Sequence, residues 1–235
     1  VDEIFCGAAP LSDEIYDAVN NRFGNRISIR NGYGMTELSI VTNVSRRFGW
    51  KAGTVGPIVP GNFCKIIEVE SGRLLGPNET GEVCFKGDHV MLGYRDDPEA
   101  TRQTIDSSGW LHTGDLGYYD TDQQLFVVGR LKELIKYKGF QIAPAEIENL
   151  LLSHGDVVDA AVVGKEDEVC GQIPVAFIVK RQGSCITAEE LCKFVDERVS
   201  AQKKLRGGVR FIEAIPKNPA GKILRRELEK FFSKL

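Results

Sequence analysis

Alternating apolar and polar residues predict a small antiparallel β subdomain between Asn62 and Tyr94. The segments FCKIIEVE and EVCFKGDHVML alternate with partial period two, and the turn-rich SGRLLGPNETG separates them. From Asp97 to Thr104, DPEATRQT has a proline near its start and helix-tolerant residues after it, which predicts a short helix. The following SSGWLHTGDLGYYD is polar and glycine-rich, which favours a loop of the kind that often carries chemistry.

The pattern changes after the basic stretch GRLKELIKYKGFQIAP. Helical spacing marks APAEIENLLLSH and TAEELCKFVDERVSAQKKL, and Thr187 and Glu190 have capping-box spacing at the start of the second segment. The runs VVDAAVVG, QIPVAFIVK and VRFIEAIP predict strands, and GKILRRELEKFF returns to helical spacing. This order predicts a small α+β domain, so we divide the chain into residues 1–129 and residues 130–235.

Composition fits a globular chain of one or two domains. Of its 235 residues, 42% are hydrophobic and 27% are charged, which is enough to bury one or two cores. The formal net charge of −3 argues against broad nucleic-acid binding. No apolar run reaches the roughly 18 to 20 residues of a membrane span, and no signal sequence is evident. Because the chain starts at Val1 in an apolar, strand-like segment, we expect the natural protein to continue upstream.

The cysteines are scattered, with no C-x-x-C pair and no closely spaced histidine. They are Cys6, Cys64, Cys84, Cys170, Cys185 and Cys192. This spacing is poor for a zinc site and indicates no disulfide framework. Several lie among apolar residues, so we expect reduced, buried thiols.

Two glycine-containing motifs carry candidate nucleotide ligands. In NGYGMTE, Tyr33 offers a stacking face, Thr36 can donate to a phosphate oxygen and Glu37 can hold a hard cation such as Mg²⁺. A strand-to-helix turn capped by Thr36 explains that motif equally well. In GWLHTGDLGYYD, Asp115 can accept hydrogen bonds from both hydroxyls of a diol such as ribose. The alternative is a turn in which Asp115 accepts from nearby backbone amides.

Two basic motifs follow. Arg130, Lys132, Lys136 and Lys138 lie within nine positions, which indicates an anionic ligand; a solvated basic strand is the alternative. In PKNPAGKILRREL, a loop presents Lys222 just before a helix, where its point charge can neutralise a phosphate. An ordinary surface lysine near a helix start explains Lys222 as well.

The four motifs, in this order, resemble those of the adenylate-forming (AMP-binding) superfamily, which contains acyl-CoA synthetases, 4-coumarate-CoA ligases and beetle luciferases. The resemblance rests on YGMTE, WLHTGD, GRLKELIKYKGFQIAPAEIE and PAGK, and it runs from CGAAPL to the last residue. It implies an α/β and α+β architecture: the C-terminal part of the large adenylation domain with a small β subdomain, then a small α+β lid domain. It also implies that ATP activates a carboxylate to an acyl-adenylate, which then passes to coenzyme A.

By this resemblance, eight residues line the adenine and acyl side of the pocket, with Tyr33 against the base. They are Gly7, Ala8, Ala9, Pro10, Gly32, Tyr33, Gly34 and Met35. Thr36 is expected to contact the α-phosphate and Glu37 the magnesium ion. Asp115 and Arg130 are expected to hold the ribose hydroxyls, and Lys222 to be the catalytic lysine of adenylation.

The resemblance assigns the second half-reaction to the basic segment. Lys132 corresponds to the hinge, Lys136 to the catalytic lysine of thioester formation, and Lys138, Gly139 and Gln141 to its neighbours in that step. The chain departs from the family at Gly129, where many relatives have Asp. It also carries the bulky Ile40 where beetle luciferases have small hydroxyl-bearing residues, which favours a fatty or aryl acyl-CoA synthetase.

The chain ends in Ser233, Lys234 and Leu235, the tripeptide that the peroxisomal import receptor binds, so we expect a peroxisomal protein. The leading hypothesis is an ATP-dependent acyl-CoA synthetase. A beetle-type luciferase and a non-catalytic, binding-only relative are the alternatives. Because the family's phosphate loop and much of its acyl pocket lie upstream of Val1, we expect this chain alone to lack full activity.

Overall fold

The structure is a computed structural model that describes residues 1–7, 11, 13–39, 41–47, 51, 53–219 and 221–232. Backbone contacts divide the chain into two compact units, Val1–Leu131 and Lys132–Leu235. The boundary predicted from the sequence lies two residues earlier, after Gly129, so Arg130 was expected in the second domain but lies in the first unit. Within the described ranges no helix has the length and apolarity to span a bilayer.

The first unit begins with a three-stranded sheet in the order β1-β2-β3. Its elements are β1 (Glu3–Cys6), α1 (Asp13–Arg22), β2 (Ser28–Tyr33) and β3 (Asn43–Val44). Strand β1 is parallel to β2, and α1 lies in the connection, as a parallel pair requires a crossover. Strand β2 ends at Tyr33, directly before a short 3₁₀ turn at Thr36–Leu38.

A four-stranded antiparallel sheet forms the rest of the first unit, in the order β4-β5-β6-β7. Its elements are β4 (Asn62–Ile67), β5 (Gly81–Gly87), α2 (Pro98–Thr104), β6 (Leu111–Tyr119) and β7 (Leu125–Arg130). The predicted β subdomain and the short helix are confirmed. The loop predicted at SSGWLHTGDLGYYD is wrong, because most of that segment is β6. Its inward side chains join a core that includes Ile66, Val83, Phe85, Leu111 and Leu125.

Strand β6 carries a bulge at the T-G-D segment. Glu82 on β5 pairs with Leu116 on β6, and Cys84 pairs with His112. Between these two pairs β5 advances by two residues and β6 by four, so β6 has two extra residues at the bulge. Gly114 adopts a φ of 68°, a conformation that glycine tolerates and β-strands otherwise lack. The bulge explains why glycine and polar residues occupy the middle of a strand.

The second unit contains a five-stranded sheet in the order β10-β11-β8-β9, with β12 parallel to β11. Its elements are β8 (Ile135–Tyr137), β9 (Phe140–Ile142), α3 (Pro144–Leu152), β10 (Val157–Asp167), β11 (Gly171–Lys180), α4 (Ala188–Asp196), β12 (Val209–Phe211) and α5 (Arg225–Glu229). The α+β organisation predicted for this half is confirmed.

Both faces of the β10-β11 hairpin are buried. Val162 and Ile178 belong to a core that also contains residues of α3 and α4, whereas Val163 and Phe177 belong to a second core with Leu228 of α5. Burial on both faces explains why VVDAAVVG and QIPVAFIVK are nearly continuous apolar runs.

Several predicted elements are shorter in the structure. The capping box at Thr187 and Glu190 is confirmed, but α4 ends at Asp196, and a 3₁₀ turn at Ala201–Lys203 replaces the predicted helical continuation. Strand β12 and helix α5 cover only parts of VRFIEAIP and GKILRRELEKFF.

Candidate functional site

The first unit brings three predicted site residues into direct contact around Asp115. This side chain is 5% exposed, and its Oδ1 lies 2.9 Å from Nε of Arg130, its cross-strand partner on β7. The hydroxyl of Tyr33, at the end of β2, donates to the Asp115 Oδ2 over 2.6 Å. The motifs YGMTE, HTGD and GR therefore meet at one buried carboxylate.

Local geometry fixes the backbone that carries Asp115. The Thr113 hydroxyl donates to the Val83 carbonyl over 2.7 Å and accepts from the Asp115 N–H over 3.0 Å. The Gly114 N–H donates to Oε1 of Glu82 over 3.1 Å. These bonds hold the bulge in place, so the carboxylate is oriented by the strands rather than by a mobile loop.

Burial and the nearby Asp115 carboxylate raise the pKa of Tyr33. The phenol therefore stays protonated and acts as a donor to Asp115. Its ring stacks on Phe85 with centroids 6.0 Å apart. The Arg130 side chain is 47% exposed, so this guanidinium is the part of the cluster that solvent reaches most easily.

Glu37 lies in the 3₁₀ turn that follows β2. Its Oε1 accepts a hydrogen bond from the Tyr94 hydroxyl over 2.7 Å, and its carbonyl accepts from the Met91 N–H over 2.9 Å. Burial and this hydrogen bond raise the pKa of Tyr94. Met35, and not Thr36, occupies the N-cap position and forms no side-chain cap, so the interpretation of Thr36 as a cap is wrong. Thr36 is exposed.

The remaining pocket predictions fall near the ends of β1 and β2. A Cβ at Gly32 would lie 2.6 Å from the Phe5 ring, and one at Gly7 would lie 3.4 Å from the Gly32 carbonyl oxygen, so the two glycine segments are adjacent. Gly34 is half-buried, and Met35 packs against the core of the four-stranded sheet. Ala8, Ala9, Pro10 and Ile40 lie outside the described residues.

In the second unit, the predicted thioester-step residues form one exposed hairpin. Lys136 and Gln141 are cross-strand partners on β8 and β9. Lys138 and Gly139 connect the strands with φ values of 46° and 83°, as in a type I′ turn. Lys132, the predicted hinge, is exposed in a 3₁₀ turn at Leu131–Glu133.

Lys222 lies on a separate loop of the second unit. Asn218 accepts the Lys222 N–H through its Oδ1 over 2.9 Å and donates its own N–H to the Lys222 carbonyl over 2.9 Å. Lys217 and Ile223 pair across the base of this loop. The backbone of Lys222 is thus held on both sides while its side chain is exposed.

Arg225, which the sequence analysis did not single out, fastens this loop to the second unit. It donates to both oxygens of the buried Glu148, to the Val162 carbonyl over 3.0 Å and to Oε2 of Glu133 over 2.8 Å. Two more arginines and six more glutamates lie within twelve residues of these positions, so sequence alone could not select this network.

Cys84 lies close to a histidine in space, although no histidine is close to it in the sequence. Its Sγ lies 3.6 Å from Nδ1 of His112, because cross-strand pairing joins residues that are 28 positions apart. All six cysteines are free thiols, and Cys185 is exposed where burial was expected.

Family profiles match most of the chain. The profile of the AMP-binding enzyme matches residues 1–95, and that of the AMP-binding enzyme C-terminal domain matches residues 146–222. The 4-coumarate–CoA ligase of Vanilla planifolia is 50% identical over 233 residues, which are 97% of this chain and 42% of that protein. The luciferin 4-monooxygenase of Luciola mingrelica is 45% identical over 232 residues, which are 99% of this chain and 42% of that protein.

Solved structures of AMP-binding enzymes also resemble this chain. ATP-bound MatB from Rhodopseudomonas palustris has a TM-score of 0.90 and 28% identity, with 97% of this chain and 45% of that chain covered. The anthranilate CoA ligase AuaEII with anthranoyl-AMP has a TM-score of 0.86 and 27% identity, with 100% and 45% covered. The chain thus spans less than half the length of the relatives it matches. With both profiles, the fold and the shared sequence in agreement, the chain belongs to the adenylate-forming, AMP-binding enzyme family.

Proposed function

We propose that this chain forms part of an ATP-dependent acyl-CoA synthetase for an aryl or fatty carboxylic acid. The observation that carries the proposal is the buried Asp115 carboxylate, held between Tyr33 and Arg130. An ionised carboxylate is an acceptor with two oxygens, which suits it to bind the two hydroxyls of a ribose. Relatives named as 4-coumarate–CoA ligases support an aryl acid as substrate.

In this proposal the first unit binds the nucleotide. Asp115 holds the ribose hydroxyls, and the guanidinium of Arg130 adds donors beside them. Thr36, three residues after Tyr33, is exposed and would donate to the α-phosphate. Gly7 and Gly34 would allow backbone to approach the ligand closely, whereas the Phe5 ring fills the space beside Gly32.

Glu37 fits a magnesium ion in this proposal. Its Oε1 accepts from Tyr94, and among the described residues no donor forms a hydrogen bond to Oε2. Magnesium commonly takes one or two carboxylate ligands together with substrate phosphates and water. When bound, the ion would neutralise charge on the phosphates. Tyr94 orients the carboxylate that receives it.

Lys222 is the proposed catalytic lysine of adenylation. During attack of the substrate carboxylate on the α-phosphate, negative charge builds on the phosphate oxygens, and an ammonium group stabilises it. The hydrogen bonds between Asn218 and Lys222 fix the backbone that carries this ammonium group. We assign Lys136 and Gln141, side by side on the β8-β9 hairpin, to thioester formation with coenzyme A, and Lys132 to the hinge.

The test is pyrophosphate release by the full-length protein with ATP, Mg²⁺ and a panel of cinnamic, benzoic and fatty acids. We expect acid-dependent release that Lys222→Ala reduces by at least about a hundredfold, as expected for loss of a group that stabilises transition-state charge. Lys230→Ala is the matched control, because Lys230 is an exposed lysine on the same C-terminal segment. Release unaffected by Lys222→Ala contradicts the assigned role, and no release with any acid contradicts the proposed activity.

A luciferase is the second candidate, since the luciferin 4-monooxygenase of Luciola mingrelica is 45% identical over this chain. Both activities begin with adenylation. Light emission with luciferin, ATP and Mg²⁺, at a yield unaffected by coenzyme A, would favour the luciferase. Acyl-CoA formation in the dark favours the ligase.

We also propose peroxisomal import through Ser233, Lys234 and Leu235, on the basis of this terminal tripeptide alone. A fluorescent protein fused upstream of the chain should collect in peroxisomes. Removal of the three residues should leave it diffuse. Identical distribution of the two fusions contradicts the proposal.

A further inference from the structure

A cluster of three potential metal-binding side chains lies beside the bulge, on the face of the four-stranded sheet opposite to the core residues Val83 and Phe85. Glu82 and Cys84 are two residues apart on β5 and therefore point to the same face, while His112 is the cross-strand partner of Cys84 on β6. The Nδ1 atom of His112 lies 2.9 Å from Oε2 of Glu82 and 3.6 Å from Sγ of Cys84. All three ligand atoms lie within 4.8 Å of one another.

These spacings are close to those of a tetrahedral zinc site. With bond lengths of about 2.0 to 2.3 Å, sulfur and nitrogen ligands are about 3.6 Å apart and nitrogen and oxygen ligands about 3.4 Å apart. The Sγ to Nδ1 distance in this structure already has that value. The Glu82 to His112 distance must open by about 0.5 Å for a metal ion to replace the contact between them.

The surroundings of the cluster also suit a metal ion. Cys84 is fully buried, whereas the side chains of Glu82 and His112 are 12% and 28% exposed, so an ion can enter from the imidazole side. On the far side of the ring, Oδ2 of Asp106 lies 3.7 Å from Nε2 of His112. Carboxylates in this position orient metal-binding histidines. Lys65 on β4 is the cross-strand partner of Cys84, and its ammonium group lies 4.4 Å from the centre of the Trp110 ring.

We propose that Glu82, Cys84 and His112 bind one divalent transition-metal ion of the zinc type. A thiolate, an imidazole and a carboxylate are the usual protein ligands of zinc, and three of them leave a fourth position for water. Burial, and after it the Glu82 charge, raises the pKa of Cys84 to about 12. Binding therefore releases the thiol proton to solvent. The proton that His112 Nδ1 donates to Glu82 must also leave Nδ1, so the neutral ring that binds the metal through Nδ1 carries its proton on Nε2, toward Asp106.

The site communicates with the proposed nucleotide site through Glu82. Its other oxygen, Oε1, accepts the Gly114 N–H that fixes the bulge before Asp115. A metal ion that pulls on Oε2 shifts this carboxylate and with it the backbone that presents Asp115. This consequence rests on the proposed function, and we expect zinc to weaken ATP binding by the full-length protein.

The test titrates the reduced chain with Co²⁺, which substitutes for zinc and reports its ligands in absorption spectra. We expect one ion per chain, with a thiolate-to-cobalt charge-transfer band and the visible bands of tetrahedral Co²⁺, all abolished by added Zn²⁺. Cys84→Ser should remove the charge-transfer band, His112→Gln should weaken the visible bands, and Asp106→Asn should lower the affinity about tenfold. Circular dichroism confirms that each variant is folded.

Cys64→Ser is the matched control, because Cys64 is a strand cysteine on neighbouring β4 whose pKa burial likewise raises to about 12. It should keep the full spectrum. A charge-transfer band that survives Cys84→Ser, or disappears in Cys64→Ser, overturns the proposal, as does a folded wild-type chain that binds no Co²⁺. These spectra do not depend on ATP or on any acid, so they test the metal site whether or not the proposed synthetase activity is found.

Discussion

Replacement of Arg225 by methionine should strongly destabilise the second unit. The Arg225 side chain is 14% exposed and forms an ion pair with Glu148, which is 8% exposed, and with Glu133, which is 26% exposed. The substitution leaves the Glu148 carboxylate buried, with the Val162 N–H as a donor at 2.7 Å. Removal of one partner from a buried ion pair costs about 3 to 5 kcal/mol, because the remaining charge is uncompensated.

Urea-dependent hydrogen exchange, followed by mass spectrometry, is the assay of choice. Both tryptophans, Trp50 and Trp110, precede residue 132, so tryptophan fluorescence does not report on the second unit directly. Peptides from β10 contain the Val162 amide, which donates to Glu148. With about 1 to 3 kcal/mol per molar urea, a loss of 3 to 5 kcal/mol lowers the midpoint of these peptides by at least about 1 M.

Two further variants separate the ion pair from general effects of substitution. Arg226→Met changes an exposed neighbour on α5 and should alter stability by no more than about 0.5 kcal/mol. Adding Glu148→Gln to Arg225→Met removes the stranded charge and should restore about 1 kcal/mol or more. If Arg225→Met lowers the midpoint no more than Arg226→Met does, the network is not a determinant of stability and the reasoning is wrong.

Three further predictions follow from the described contacts. In the full-length protein, Asp115→Asn should weaken ATP binding, measured by calorimetry, about 10- to 100-fold, because it removes charged hydrogen bonds. Tyr33→Phe should weaken ATP binding by about tenfold or less. Equal effects of the two variants contradict the assignment of Asp115 to the ribose. Burial raises the pKa of Asp120, but the hydrogen bond from Lys51 and other donors lower it overall. Ionised Asp120 therefore contributes fully to the free energy of unfolding above its unfolded pKa of about 3.9, and this contribution is lost as pH falls through the lower folded pKa. The free energy of unfolding should depend less steeply on pH in this acid range in Asp120→Asn. Gly139→Ala should destabilise the β8-β9 hairpin by about 1 to 2 kcal/mol, because φ is 83° there, and unchanged exchange at β8 would contradict this.

The sequence predicted those elements whose signal is local. The Thr187 and Glu190 pair marked the start of α4, since a capping box needs only two side chains three residues apart. Prediction from the sequence failed where contacts between distant residues determine the local structure. The segment containing His112, Thr113 and Gly114 was expected to be a loop, yet pairing with β5 and β7 makes it a bulged strand. The hairpin at Lys138 and Gly139 was also missed, because this dipeptide is a weaker turn signal than Asn-Gly.

Motifs in the sequence determined the family and supplied the candidate residues, because family-specific residue types recur in a fixed order that needs no coordinates. Only the tertiary structure decided which candidates touch. Tyr33, Asp115 and Arg130 meet because β2 ends beside a bulge in β6 and β7 pairs with that bulge. Cys84 meets His112, and Arg225 meets Glu148, for the same physical reason. Hydrogen-bonded strand pairing and core packing bring together residues that are far apart in the chain, and no local pattern encodes those distances.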